Sequence, residues 1–438
     1  MPAAELRHSN KKHGTGADNR DGWTALGSGL VTGASDDDPS GIATYAQAGA
    51  QFGFKLGWTL LLSYPLMVVI QSICARVGRT TGRGIAGNLR EFYPNWLLQM
   101  IVVLLFVANT LNIGADLGAM AEASRLLLPA PRGWVYVLMY GLVCTAGQVF
   151  LQHTAYIRLL KWLTLSLFSY FAAVCVVHVN WPGVLRGLVW PQLSLDRDLW
   201  LTVVAILGTT ISPYLFFWQA AQEVEDTKAR PSARPLLETP QQGRKALARI
   251  RIDALAGMGI SNLVGLAIMV TTAATLHEHG TSELTSAAQA AEALRPLAGN
   301  AAFALFAFGI IGTGLLSVPV LAGSAAYAIG EARKWPVGLA RLPLEAKAFY
   351  ATIALATLLG GMLNVASVNP VRALVWAALV NGVVAAPVMV LLVLMSSRTE
   401  IMGEFKISSA SRAVAWLATG TMVVASMVFF ILTIGSAR

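Results

Sequence analysis

Three consecutive carboxylates, Asp36, Asp37 and Asp38, followed by Pro39, Ser40 and Gly41, interrupt the otherwise small and apolar stretch TGASDDDPSGIATYAQAG. Carboxylate and hydroxyl oxygens beside freed backbone carbonyls are hard donors, and such a set suits a cation. The carbonyls are expected to be free because Pro39 lacks an amide hydrogen and pushes Asp38 out of helical geometry. A helix running through this stretch should break. The same device recurs in Gly208-Thr209-Thr210-Ile211-Ser212-Pro213-Tyr214, set between apolar LWLTVVAIL and LFFWQAA. Capping the next half-helix accounts for one Asp or Ser, but not for three aspartates. The surplus is expected to hold positive charge.

The elements that must position these groups are membrane helices. The chain of 438 residues is 55% hydrophobic and 13% charged, with a mean hydropathy of +0.59, whereas soluble domains carry about 25% charged residues. Eleven apolar segments fall at about 24–50, 56–78, 97–126, 133–151, 156–179, 200–222, 250–275, 300–330, 348–366, 370–396 and 410–434. Alternation with period two is absent, so the expectation is an all-α integral membrane protein and not a barrel. In the first span each flank of the aspartates is about a dozen residues, too short to cross about 30 Å of hydrocarbon alone. The aspartates therefore belong near the midplane, where an uncompensated carboxylate costs about 2.5–3.5 kcal/mol on insertion scales. Breaks five spans apart imply two halves of opposite topology, an inverted repeat of five plus five helices with the site where the broken helices meet. Repeat one covers about 24–179, repeat two about 200–396, and an extra helix lies at about 410–434.

Charge sets the orientation and excludes other functions. With the N-terminus inside, 24 of the 32 Lys and Arg fall on the cytoplasmic side and 8 outside, among the former Arg76, Arg79, Arg83, Arg398 and the run from Lys228 to Arg251. This bias explains the basic pI without nucleic acid, for which no aromatic-interleaved basic motif exists. The reading is a multi-pass cell-membrane protein with its N-terminus cytoplasmic and its C-terminus outside. Residues 1–22 form a polar tail, and 23–438 form a single transmembrane domain, expected to be monomeric. The connector EVEDTKARPSARPLLETPQQGRKALARIR reads as a mobile cytoplasmic loop. Cys74, Cys144 and Cys175 show no metal spacing and read as buried thiols. His277 and His279 in HEH read as outer-loop residues without a metal.

GLVTGASDDDPSGIATYAQAGAQFG, GTTISPYLFFWQAAQEVED and SSRTEIMGEFK resemble segments of the NRAMP divalent-metal transporters, and more closely their NRAMP-related magnesium-transporter branch. The resemblance implies a leucine-transporter-like architecture with a divalent ion between discontinuous first and sixth helices. It aligns the NRAMP motif Asp-Pro-Gly-Asn with Asp38-Pro39-Ser40-Gly41, keeping the metal-binding aspartate as Asp38 and replacing the asparagine by Gly41. The sixth-helix Met-Pro-His becomes Ser212-Pro213-Tyr214. The carbonyl ligands fall at Ser35 and Thr209, and a polar residue near the metal falls at Asn381.

A thioether favours soft transition metals, so Ser212 in its place makes the site harder, and small residues at 41 and 212 leave room for water. Mg²⁺ keeps several waters and uses one or two carboxylates. The expected substrate is therefore Mg²⁺, with Mn²⁺ admitted, carried inward as a largely hydrated ion and not as a bound cofactor. In the third span Asp116 keeps an acidic position of the family. A family glutamate aligns with Ala119 and the family histidine with Tyr214, so obligatory proton coupling is not expected. Asn109 and Asn112 share a face with Asp116 and read as helix-bridging. Glu223, Glu225 and Asp226 read as an acidic exit vestibule or a solvated helix end. The alternative is a proton-coupled Mn²⁺/Fe²⁺ symporter. A sodium-coupled amino-acid transporter is disfavoured because three aspartates would repel a substrate carboxylate. An intramembrane aspartyl enzyme is disfavoured because adjacent residues cannot flank a scissile bond.

Overall fold

A computed structural model describes residues 32–435 apart from 34, 129–132, 151–167, 193, 195, 281–283, 285, 296–298, 300–301 and 365–368. The described chain is helical, in the order α1 (Pro39–Phe52), α2 (Gly57–Thr81), α3 (Ile85–Phe92), α4 (Asn95–Leu127), α5 (Trp134–Phe150), α6 (Phe168–Val176), α7 (Trp181–Val189) and α8 (Arg197–Thr210). There follow α9 (Pro213–Ala229), α10 (Gly243–Thr272), α11 (Ala287–Glu292), α12 (Ala302–Arg333), α13 (Lys347–Leu363), α14 (Pro370–Ser397), α15 (Thr399–Met402) and α16 (Ser409–Gly435). Every apolar segment read from the sequence contains helix. The N-terminal part of the first span, 24–31, and residues 156–167 of the fifth lie outside the described residues.

Both expected breaks are present and have one physical cause. Asp38 is extended (φ −67°, ψ 169°), as a residue preceding proline tends to be, and Pro39 then opens α1 at the position where a missing N–H costs nothing. The sixth span divides into α8 and α9 in the same way, with Ile211 and Ser212 outside helical geometry and Pro213 opening α9. Around these breaks α4 packs against α12, α13 and α14, while α1 is held by α10, α14 and α8. Bare glycines allow the close approaches. A Cβ on Gly208 would lie 2.0 Å from the Ala378 carbonyl oxygen, and one on Gly33 would lie 2.3 Å from that of Gly257. The broken helices are thereby clamped against α14 and α10. Large apolar side chains remain exposed around the periphery, among them Leu61, Val103, Leu142, Phe308, Leu358 and Ile431, as a lipid-facing surface requires.

Several expectations are corrected. The connector after α9 is ordered, because Arg79 at the end of α2 donates to the Arg234 carbonyl at 2.6 Å, to Gln242 Oε1 at 2.7 Å and to Thr227 Oγ1 at 3.2 Å. Leu236 is buried beneath it, and the amides of Leu236 and Leu237 bond the carbonyls of Arg79 and Thr80. The fifth span ends at Val176, and the short helix α7 follows it with Trp181, Leu185 and Val189 exposed. Cys175 lies exposed on α6, so only Cys74 and Cys144 are buried. His277 ends a π-helical turn and its Nδ1 meets the Ala50 carbonyl at 2.9 Å, tying α10 to α1. MGEFK is structural: Gly403 takes φ +55°, and Phe405 packs on Gly243 at the start of α10.

Arg79→Ala should release the connector, since hydrogen bonds to a charged group contribute about 1.5–3 kcal/mol each. The expected outcome is new protease cleavage within 230–242 and a lowered unfolding temperature. Unchanged protection would contradict the assigned role of Arg79.

Candidate functional site

The first break presents its groups one by one. Ser35 and Asp36 are the last helical residues before the break, Asp37 bends the chain, and Asp38 caps α1 by accepting the Gly41 amide on Oδ1 at 2.7 Å. Its other oxygen faces the interior. Asp38 Oδ2 accepts from Asn112 Nδ2 at 3.1 Å and lies 3.4 Å from the Tyr214 hydroxyl, which itself donates to the Ser35 carbonyl at 2.8 Å. Capping and facing the site are therefore shared between the two oxygens of one carboxylate. The Ser35 carbonyl is indeed freed by the break, and α9 reaches across to it through Tyr214.

At the second break the Ser212 hydroxyl turns back on its own helix, bonding the carbonyls of Gly208 at 2.9 Å and Thr209 at 2.8 Å. The Thr209 side chain points the other way. A Cβ placed on Gly41 would stand 3.1 Å from Thr209 Oγ1, 3.2 Å from the Asp36 carbonyl oxygen and 3.5 Å from Asp38 Oδ1. Three oxygens thus wall the space beside Gly41. That space is narrower than the expected hydrated pocket, because even a methyl group would be tight there, and Ser212 does not widen it. To receive an ion with its waters, the oxygens must part.

The three aspartates, all expected to hold positive charge, do not converge on one point. Among the described residues no three His, Cys, Asp or Glu side chains are grouped to hold a metal ion. Asp38 faces Asn112 and Tyr214, whereas Asp36 Oδ2 and Asp37 Oδ1 share the Ser261 hydroxyl of α10 at 2.7 Å and 3.3 Å. All three are at most 2% exposed, so bulk water does not compensate them. Asp116 stands one helical turn beyond Asn112 and accepts from Ser317 Oγ at 2.8 Å, with its second oxygen unpartnered. Asn381 is buried on α14 next to Gly382, which packs on Gly208. Its Oδ1 has no partner, and no hydrogen bond joins it to Asp38.

The acidic exit vestibule is not formed. Glu223 is fully buried and paired with Arg249 at 2.5 Å. Glu225 lies in a cavity of about 330 Å³ together with Arg83, Arg90, Lys228, Lys334 and Glu331, a lining that is basic on balance. Asn109 bridges helices as expected, donating to the Leu321 carbonyl and to Ser324 Oγ at 2.8 Å each. Asn112 does not act as a bridge of that kind, because it serves Asp38. Its place one turn before Asp116 was the only sign in the sequence, and Ser261 gave none.

A family model described as "Natural resistance-associated macrophage protein-like" (Nramp) matches residues 29–432. The chain belongs to the Nramp family. Its relatives include the divalent metal cation transporters MntH of Verminephrobacter eiseniae, 27% identical over 415 residues, and of Ralstonia nicotianae, 28% identical over 423. These alignments cover 93% and 92% of this chain and 89% of each relative. Among solved structures, the manganese transporter of Eremococcus coleocola superposes with a TM-score of 0.72 at 15% identity, over 92% of this chain and 85% of that one. The nucleobase-cation-symport-1 transporter Mhp1 superposes at 0.59 and 12% identity, over 93% and 92%. The fold is therefore the leucine-transporter-like membrane bundle, and this Nramp chain carries breaks at 37–38 and 211–212.

Asn112→Leu should weaken divalent-cation binding by about 10–100-fold, the usual cost of losing a group that orients a metal ligand. Isothermal titration of the purified chain with Mn²⁺ measures this. Wild-type affinity in the variant would remove Asn112 from the site.

Proposed function

We propose that this Nramp-family chain is a divalent metal cation transporter that carries Mg²⁺, and Mn²⁺ with it, toward the cytoplasm. The ion travels largely hydrated and without obligatory proton co-transport. The observation that carries this reading is the chemistry around Asp38. Carboxylate, carbonyl and hydroxyl oxygens come from Asp38, Ser35, Asp36, Thr209 and Tyr214, with an amide from Asn112. Ser212 and Tyr214 stand where the family resemblance expects a thioether and an imidazole. Hard donors favour Mg²⁺ and Mn²⁺ over soft ions, and a site with one facing carboxylate suits an ion that keeps its waters.

The orientation and the route fit the same reading. Arg76, Arg79, Arg90, Arg249 and Arg398 gather at one end of the bundle through contacts to Lys406, Arg234, Glu331, Glu223 and Tyr93, respectively. A basic end of this kind is the cytoplasmic end. At the other end a cavity of about 580 Å³ opens between α1, α8 and α14, lined by Gln47, Gln51, Asp198, Thr202 and Arg372 among others. The same helices carry Gly41, Thr209 and Asn381 deeper in, and the proposed route runs from this cavity along them to the breaks. Inward movement needs no proton, because a divalent ion gains about 4.6 kcal/mol from a 100 mV potential, on the order of a thousandfold accumulation. The competing reading, a proton-coupled Mn²⁺/Fe²⁺ symporter, draws on Asp116, which is buried and acidic one turn from Asn112.

The test is uptake into proteoliposomes under an imposed pH gradient. Wild type should take up Mg²⁺ saturably without acidifying the lumen, and Asp38→Ala should lose at least about 100-fold of that rate, as expected when a principal metal ligand is removed. Cd²⁺ should compete weakly. Strong inhibition by Cd²⁺, or lumen acidification in step with uptake, would favour the symporter.

A further inference from the structure

The division of the three aspartates leaves a second polar cluster unexplained by the Asp38 site. Asp36 Oδ1 and Asp37 Oδ2 are buried without any partner, although their other oxygens both engage Ser261 on α10. Ser261 has a single proton to donate, so it cannot satisfy both carboxylates at once. A third group completes the arrangement. Tyr45 is fully buried, its hydroxyl has no partner, and its ring rests against Gly265, one turn along α10 from Ser261. Helical side chains lean toward the N-terminus of their own helix, so the Tyr45 hydroxyl is directed back toward the break that precedes α1. It lies in the electrostatic field of Asp36, Asp37 and Asp38 together.

We propose that Asp36, Asp37, Ser261 and Tyr45 form a second divalent-cation position between the first break and α10, distinct from the Asp38 position between the first and sixth breaks. This inference rests on the reading of the first break as a cation site. All four donors are oxygen, and two carboxylates match a divalent charge where a monovalent ion would leave one charge uncompensated in a buried setting. The two positions share the turn 36–38, with the Asp36 carbonyl facing Gly41 while its carboxylate faces Ser261. An ion at one position therefore repels an ion at the other. Paired weak sites of this kind favour release, since conduction needs binding strong enough for capture yet weak enough for departure.

The experiment counts Mn²⁺ bound per full-length chain by equilibrium dialysis in detergent, with low-temperature EPR at saturation. Wild type should hold two Mn²⁺ and show a dipolar-broadened spectrum. The double variant Asp36→Asn with Asp37→Asn should hold one with a narrow spectrum, and Asp38→Asn should also retain one. Ser261→Ala, a conservative change that preserves helix packing, should weaken only the second binding step, by about tenfold or more. One ion in wild type, with unchanged affinity in the double variant, would overturn the proposal. So would loss of all binding in the double variant if it elutes as a native monodisperse species, because Asp36 and Asp37 would then belong to the Asp38 site. Displacement of the second Mn²⁺ by excess Na⁺ would overturn its divalent assignment. Failure of Mg²⁺ selectivity in the uptake assay would leave these counts unaffected, so the two readings fail separately.

Discussion

Everything in this bundle follows from placing carboxylates where water does not reach. An ionised aspartate at the centre of a membrane helix is costly unless a cation, a hydrogen-bond donor or water compensates it. Here the turn 36–38 puts three aspartates at mid-bundle, each nearly fully buried. The structure answers with a broken backbone, donors from α4, α9 and α10, and a second broken helix alongside. Removing the break would return those carbonyls to helical bonds and leave the acids with no shared geometry.

The breaks were fully legible in the sequence, because a proline preceded by Asp or Ser has a strong local consequence that tertiary packing cannot easily reverse. Asp38 was legible for the same reason, since it precedes Pro39, whereas Ser35, Thr209 and Tyr214 came only from the family resemblance. What could not be read was direction. Three adjacent aspartates look like one cluster, yet the bend at Asp37 sends Asp36 and Asp37 toward Ser261 and Asp38 toward Asn112. Ser261 lies in LAGMGISNLVG, a stretch with no chemical signature, and only the approach of α1 to α10 gives it meaning. Likewise the acidity of Glu223 and Glu225 was visible while the Arg and Lys that fold back onto them were not.

The basic end illustrates how charge serves two purposes at once. Lys and Arg there are the basis of the proposed orientation, and in the folded chain they also organise the connectors. Arg79 pins the segment 230–242, and Arg90 donates to the Glu331 backbone. The Glu331 carboxylate in turn accepts the Gly84 and Gly87 amides at the start of α3, at 2.8 Å and 2.9 Å. The Glu223–Arg249 pair couples α9 directly to α10, so the inner half of the sixth span is tied to the helix that also carries Ser261.

The central claim is that the cation is held at the unwound turn of the first span by the inward oxygen of Asp38. Anomalous diffraction from crystals grown with Mn²⁺ locates the ion without assumptions about transport. The account predicts a peak within coordination distance of Asp38, between the breaks at 36–38 and 209–212. Mn²⁺ peaks elsewhere in the bundle with none beside Asp38 would contradict it.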